Sequence, residues 1–326
     1  MIVQENRFEN VAEIIERSMA DNKVAGAALS VIKGGTVVHT STYGIAEPEG
    51  NIPVSEGTHF EAASLTKPVF VRLVYKLSQK GLIDVSMPMS SYSMNQIPSD
   101  DPAFLKATAK DAMCHRTGLP NWGNAPLPIA FEPGTGFSYS GKGYTYLQNV
   151  VEELAGHRVD ILLQSEIFNP LGMEDAAMIW TGPLNRTLSR TFDSNGEIEP
   201  KRDKCLHSVG FEPNVAFTLH VTIKDYPKFV IDIMSDKEFL DWVRSDTNHA
   251  ADGVDWGLGW GLTREIFWHW GDNGGFKSFV CFDPETGDGI MMHTNSFNGL
   301  HVCYDTVQHL TDFDMTDIRT MIANAE

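Results

Sequence analysis

Ser64 and Lys67 stand three residues apart in the stretch EAASLTKPVFVRLVYKLSQKGL. On a helix, side chains three apart lie on one face, so a serine hydroxyl and a lysine amine at this spacing can share a proton. A lysine held neutral then acts as the base, and the serine becomes a nucleophile toward a carbonyl carbon. The competing reading is structural: Ser64 caps the helix and Lys67 is a solvated first-turn residue. A cation in the first turn opposes the helix dipole, so an exposed Lys67 is poorly placed. A buried one can lose its charge, although moving a lysine from about 10.4 to about 7 takes roughly 4 to 5 kcal/mol of differential interaction and therefore requires burial.

The spacing alone is common. A second match, Ser30 and Lys33 in ALSVIKGG, lies in a segment whose small and β-branched residues read as a strand. Residues three apart on a strand point to opposite faces. That pair cannot share a proton, and only Ser64 with Lys67 can cooperate.

Several elements must hold such a pair. After Ser64, Phe70, Leu73, Val74 and Leu77 recur at helical spacing, which predicts a helix with one buried face. Pro68 fits it only near the helix start. Upstream, Phe8, Val11, Ile14, Ile15 and Met19 mark an amphipathic helix, and AGAALSVIKGGTVVHTSTYGIAE reads as two strands joined at Gly34-Gly35. From 84 to 215 the chain is rich in Pro, Gly and Met with short helical patterns such as GYTYLQNVVEELAG and DILLQSEIFNPLGM. Beyond about 250, apolar runs broken by DNGG and DPETGD predict antiparallel strands joined by hairpins, and residues 299 to 323 are helical in pattern. The expected fold is α/β (α+β): residues 1–62 and 216–326 form an antiparallel sheet domain with terminal helices, and 63–215 form an inserted, mostly α-helical domain. A cleft between such parts is a favoured place for a small-molecule site.

Composition narrows the chemistry. The 326 residues are 42% apolar and 21% charged, and no stretch reaches the length of a membrane span. MIVQENRFENVAEIIER lacks a basic region followed by an apolar one, so a cytoplasmic protein is expected, with no membrane partner. A net charge of -18 repels phosphate backbones, and nucleic acid is not an expected partner. Cys114, Cys205, Cys281 and Cys303 form no CxxC pair and should pack as small apolar side chains. There is no HExxH, GxGxxG or Walker loop, so neither metal nor cofactor is expected. Oligomeric state is not legible.

Downstream, FEPGTGFSYSGKGYTYLQNVVEELAG carries Tyr139 in a Gly-rich turn before a helix, and FWHWGDNGGFKSFVCFDPETG carries His269-Trp270-Gly271 on a strand. With the Ser64 helix, these segments make the chain resemble the serine β-lactamase and penicillin-binding protein superfamily, in particular its class C-like esterase and D-peptidase branch. KVAGAALSVIKGG, YGIAE, GLIDVSMPM, CHRTGLPNW, EPGTGFSYS and GLGWGL extend the likeness over most of the chain. The resemblance implies an acyl-enzyme on Ser64, Lys67 as its proton acceptor, and Tyr139 as proton carrier to the leaving group. It also implies His269 beside Tyr139, orienting it, and an oxyanion hole from the backbone N–H groups of Ser64 and Asp272, the latter just after Gly271. A neutral His269 in that role predicts turnover falling below about pH 6.5. Tyr92, Trp122, Phe137 and Trp260 are candidate pocket aromatics.

Two positions depart from the family pattern. Gly141 stands where a Y-x-N loop has asparagine, so the side-chain amide that would hold a substrate amide is missing. Trp270 stands where the strand triplet often has threonine. The implied activity is a serine hydrolase acting on small-molecule esters or amides. The alternatives are a β-lactamase or D-alanyl-type peptidase using the same residues on a lactam or peptide, and a non-catalytic binding protein on the same scaffold.

Overall fold

Alternation of side chains along the strands determines how this molecule is layered. In a computed structural model, which describes residues 1–93, 96–204 and 212–325, the strands in chain order are β1 (Gly26–Lys33), β2 (Thr36–Glu47), β3 (Ile52–Pro53), β4 (Phe60–Glu61), β5 (His220–Val221), β6 (Asn248–Ala251), β7 (Val254–Trp256), β8 (Gly261–Thr263), β9 (Ile266–Asp272), β10 (Lys277–Asp283) and β11 (Asp288–Thr294). Nine of them form one antiparallel sheet in the order β3-β2-β1-β11-β10-β9-β8-β7-β6. The early strands thus join the late ones through β1 and β11, where Ala27 pairs with Thr294 and Ile32 with Gly289. Gly34 and Gly35, at φ 55° and 76°, make the β1–β2 turn with backbone angles that disfavour other residues.

The helices are α1 (Val11–Asn22), α2 (Thr66–Gln79), α3 (Ala109–Met113), α4 (Gly141–Ala155), α5 (Val159–Leu163), α6 (Asn169–Leu171), α7 (Leu184–Thr187), α8 (Tyr226–Ser235), α9 (Lys237–Arg244), α10 (Gly299–Leu310) and α11 (Thr316–Ala325). On one face of the sheet α1 and α10 bury Ile15, Val302 and Val307 against Leu29, Trp268, Phe279 and Met292. On the other, α2 and α8 bury Phe70, Leu73 and Phe229 against Ile32, Phe267, Val280 and Met291. Neighbours on one strand therefore serve opposite cores: Phe267 packs in one, Trp268 and Trp270 in the other. Between residues 84 and 215 the regular structure is helical, joined by long irregular loops.

The control pair behaves as strand geometry demands. Ser30 is buried on β1 while Lys33 Nζ bonds the Val3 carbonyl at 2.9 Å. Cys114, Cys281 and Cys303 are buried and free, and Cys205 lies outside the described residues. Among the described residues no helix is long and apolar enough to cross a membrane, and no cluster of three or more His, Cys, Asp or Glu is arranged to hold a metal ion.

Candidate active site

Ser64 lies in a single 3-10 turn, Ala63–Leu65, that runs directly into α2. Ala63, just before it, has φ 51°, a conformation that costs a non-glycine residue strain and persists only where neighbours enforce it. Here they do. Ala62 N–H donates to the Leu219 carbonyl at 2.8 Å, Thr66 Oγ1 donates to the Ala63 carbonyl at 2.6 Å, and the Tyr226 hydroxyl donates to the Leu65 carbonyl at 2.9 Å. Pro68 is the third residue of α2, where the missing N–H has no intrahelical partner to lose.

Lys67 sits one position into α2 and is wholly buried. Its Nζ donates to Ser64 Oγ and to the Ala216 carbonyl, both at 2.9 Å, and neither partner carries charge. Burial without a compensating carboxylate pushes its pKa from 10.5 down to about 7. The amine also lies 4.8 Å from the centroid of the Tyr139 ring and 5.6 Å from that of Tyr144. The Tyr139 hydroxyl is buried and has no hydrogen-bond partner of normal geometry among the described residues. Burial raises its pKa well above 10, against a smaller opposing influence of Ser64. Burial therefore favours the neutral phenol of Tyr139, which is able to give a proton.

His269 is brought to this group by β9. Its Nδ1 donates to the Trp270 carbonyl at 2.7 Å, its Nε2 has no partner among the described residues, and its ring meets the Tyr139 ring edge-on at 6.3 Å. Complete burial, aided by Lys67, lowers its pKa to about 3. It stays neutral throughout the physiological range, so a fall in turnover near pH 6.5 would not arise from its titration.

The ring closest to Tyr139 belongs to His115, which the spacing argument did not single out although CHRTGLPNW contains it. His115 lies 4.2 Å from Tyr139 centroid to centroid, and its Nδ1 accepts the Ser140 N–H at 3.0 Å. Its pKa is well below 6.5, through burial first and then Lys67 and His269. A histidine placed two residues after the end of a short helix, in a turn, gives no periodic signal that would have identified it.

The remaining candidates separate by exposure. Phe137 shares with Tyr139, Ala250, Ala251, Met321 and Asn324 the wall of a cavity of about 340 Å³. Trp122 is 43% exposed and packs edge-on against Phe217 at 5.3 Å. Trp260 is a correction: it is fully buried, edge-on to Phe282 at 5.1 Å, because the segment leading into β8 packs it into the core with Phe267 and Phe282, and it cannot line a pocket. Tyr92 closes a local loop, accepting the Asp84 N–H at 2.8 Å. Trp270 is a second correction: strand alternation turns it away from His269, and it supports Tyr139 from below at 4.7 Å while only 3% exposed. A larger cavity of about 610 Å³, walled by Ile161, Phe168, Met178 and Leu184, contains none of these residues.

Two glycines show why their side chains are absent. A Cβ on Gly271 would stand 2.2 Å from the Ala62 carbonyl oxygen, so only glycine lets the end of β9 press against the turn that carries Ser64. The next residue, Asp272, pairs its carboxylate with Lys277 and accepts the Gly274 N–H at 2.8 Å. At Gly141, a candidate substrate-binding position, the N–H donates to Asn121 Oδ1 at 2.8 Å. A Cβ there would lie 3.1 Å from Asn121 oxygens and 3.2 Å from the Trp122 ring.

Comparison with known proteins places this geometry. The family model described as Beta-lactamase matches residues 11–309. Esterase EstB of Burkholderia gladioli is 23% identical over 201 residues, covering 52% of this chain and 51% of its own. A D-aminopeptidase of Gluconobacter oxydans is 26% identical over 178 residues, 47% of this chain and 32% of its own. The chain spans about half the length of the curated relatives it matches. Among solved structures, D-alanine carboxypeptidase AmpC from Burkholderia cenocepacia superposes with a TM-score of 0.78 at 16% identity, covering 94% of this chain and 99% of its own. A class C beta-lactamase superposes with a TM-score of 0.78 at 18% identity over 95% of this chain and 98% of its own.

Proposed function

The chain belongs to the Beta-lactamase family, and from that premise we propose that it is a serine hydrolase that forms an acyl-enzyme on Ser64 and acts on small esters or amides. The observation that carries this reading is the fully buried Lys67, its Nζ 2.9 Å from Ser64 Oγ and its pKa near 7. In the first step the Ser64 hydroxyl proton passes to Lys67 Nζ as Oγ attacks the substrate carbonyl carbon. The oxyanion that forms is held by the backbone N–H groups of Ser64 and Asp272. Tyr139, a neutral phenol beside Lys67, hands its proton to the leaving oxygen or nitrogen as the bond to the carbonyl carbon breaks, and recovers one from the lysine ammonium. Water then attacks the acyl-enzyme, releasing the acid and restoring Ser64. A hydroxyl-to-amine transfer between groups already in contact avoids the entropy cost of bringing them together.

The test is intact-protein mass after exposure to a fluorophosphonate probe, with wild type and Ser64→Ala, followed by short p-nitrophenyl esters and a chromogenic cephalosporin. One adduct that disappears with Ser64→Ala, together with ester turnover, is the expected result. Rapid cephalosporin hydrolysis moves the assignment to a β-lactamase. Absence of both label and turnover leaves a binding protein.

A further inference from the structure

Resting on that reading, we infer that Glu61 is a positioning residue for the oxyanion hole, its buried carboxylate tying the turn that carries Ser64 to the end of β9. Glu61 lies on β4, just upstream of Ser64, and has no exposed surface. Its Oε2 accepts Asn273 Nδ2 at 2.6 Å and Arg202 Nη1 at 2.8 Å. Asn273 directly follows Asp272 and is itself buried. Arg202 closes the ring, since its Nη2 donates to the Asn273 carbonyl at 2.8 Å. The two N–H groups assigned to the oxyanion, on Ser64 and Asp272, thus belong to segments joined by one ion-paired cluster.

Neighbouring contacts fix the same segments. Asn273 Nδ2 also donates to the Phe217 carbonyl at 3.3 Å, and the preceding carbonyl, that of Ala216, accepts Lys67 Nζ at 2.9 Å. The end of β9 and the base are therefore anchored to consecutive peptide groups. On β4, Glu61 stands opposite His220 of β5, and the next residue, Ala62, bonds the Leu219 carbonyl. Asp272 is held through its own carboxylate by Lys277. The Arg202 guanidinium covers the Phe276 ring at 5.0 Å, and Phe276 meets Phe60, the neighbour of Glu61, edge-on at 6.2 Å.

Stability alone does not account for such a cluster. Burying a carboxylate and a guanidinium costs desolvation, and well-packed apolar side chains often replace a buried pair without loss. What the directional bonds add is a fixed distance and angle between segments 212 positions apart. An oxyanion hole built from two segments needs that, because its donors act only when held about 2.7 to 3.1 Å from where the oxygen will lie. Ala63, at φ 51° between Glu61 and Ser64, points the same way, since a strained residue persists only where its surroundings hold it. Glu61 touches no substrate; it acts through the placement of Ser64 and Asp272.

The experiment compares p-nitrophenyl acetate with its thiono analogue, in which sulfur, a larger and weaker acceptor, replaces the carbonyl oxygen. Wild type, Glu61→Gln and Arg202→Met are measured, with active enzyme counted by fluorophosphonate labelling of Ser64 and folding followed by melting. Glu61→Gln keeps the shape of the side chain and loses its charge, and Arg202→Met keeps an apolar stem near Phe276 and loses both hydrogen bonds. The expected result in both variants is a fall of about 10-fold or more in kcat for the oxygen ester with KM within about threefold of wild type. The oxygen-to-sulfur ratio of kcat/KM should fall by about 10-fold or more as well, which a loss of stability by itself would not produce. A wild-type enzyme that does not prefer the oxygen ester, or variant ratios within about twofold of wild type, with Ser64 still labelled, overturns the positioning role of Glu61 alone. Arg202→Met decides by the same criterion if Glu61→Gln does not fold. If wild-type Ser64 is not labelled and neither ester turns over, the hydrolase reading and this inference fall together.

Discussion

Lys67 Nζ lies 2.9 Å from Ser64 Oγ at the bottom of a turn held in a strained conformation, and the lysine has no exposed surface. The pair is thus set up for proton transfer and is isolated from the carboxylates that would otherwise keep the amine charged.

Burying that amine costs stability, and the cost depends on pH. With a pKa near 7 in the folded protein and 10.5 as its ordinary value, the unfolded chain binds more protons between those limits. Stability from this group therefore rises with pH from 7 to 10.5. Lys67→Met should be more stable than wild type at pH 7, with an advantage that shrinks by up to about 1.4 kcal/mol for each pH unit above 7. Urea unfolding of both proteins at pH 7 and pH 9 reads this directly. A constant difference would mean that Lys67 is charged in the native state. The variant should also lose turnover by about 10³-fold or more, as expected for removal of a base.

The same lysine sets the acid limb of the rate profile. kcat/KM for an ester should rise through a single ionisation near pH 7. His269, held near 3 by burial, should contribute no inflection between pH 4 and 6. The profile of His269→Asn should keep the midpoint near 7. A limb near 6.5 in the wild type that disappears in this variant would return the titrating role to the histidine.

Tyr139→Phe separates catalysis from structure. The hydroxyl is buried and has no hydrogen-bond partner of normal geometry among the described residues, so removing it should leave the melting temperature unchanged or slightly higher. Activity on an ester with a poor leaving group should fall by about 10²-fold or more, as for loss of a general acid. A variant that melts early and keeps its rate would reduce Tyr139 to a packing residue.

Gly271→Ala tests the contact between β9 and the nucleophile turn. The new methyl meets the Ala62 carbonyl at 2.2 Å, and either the strand or the turn must retreat. Destabilisation of about 1 to 3 kcal/mol is expected from the overpacking. The rate should fall further than that loss explains, because a donor lost from the oxyanion position costs about 10² to 10³ in kcat. Calorimetry and steady-state kinetics on the folded variant distinguish the two effects. A normal rate at reduced stability would remove this end of β9 from the site.

The local chemistry of the site was legible in the letters. The i, i+3 spacing, the apolar periodicity of Phe70, Leu73, Val74 and Leu77, and the early Pro68 together required a helix start with Ser64 and Lys67 on one face. The Gly34-Gly35 turn and the later hairpins required antiparallel strands from both ends of the chain. Those features depend on backbone geometry over a few residues, which neighbouring side chains alone determine. What only tertiary structure decided was burial and cross-chain approach. Nothing in the segment around Lys67 states that Ala216, 149 positions away, would accept its second hydrogen bond, or that no carboxylate would reach it. The orientation of Trp270 away from the cleft followed from which face of β9 meets α1 and α10. The complete burial of Trp260, the stacking of His115 on Tyr139 and the seat of Asn121 against Gly141 likewise came from loops and strands folding together over long separations. Desolvation, which lowers the pKa of Lys67 and keeps His269 neutral, is a property of that assembled packing and belongs to no local stretch of sequence.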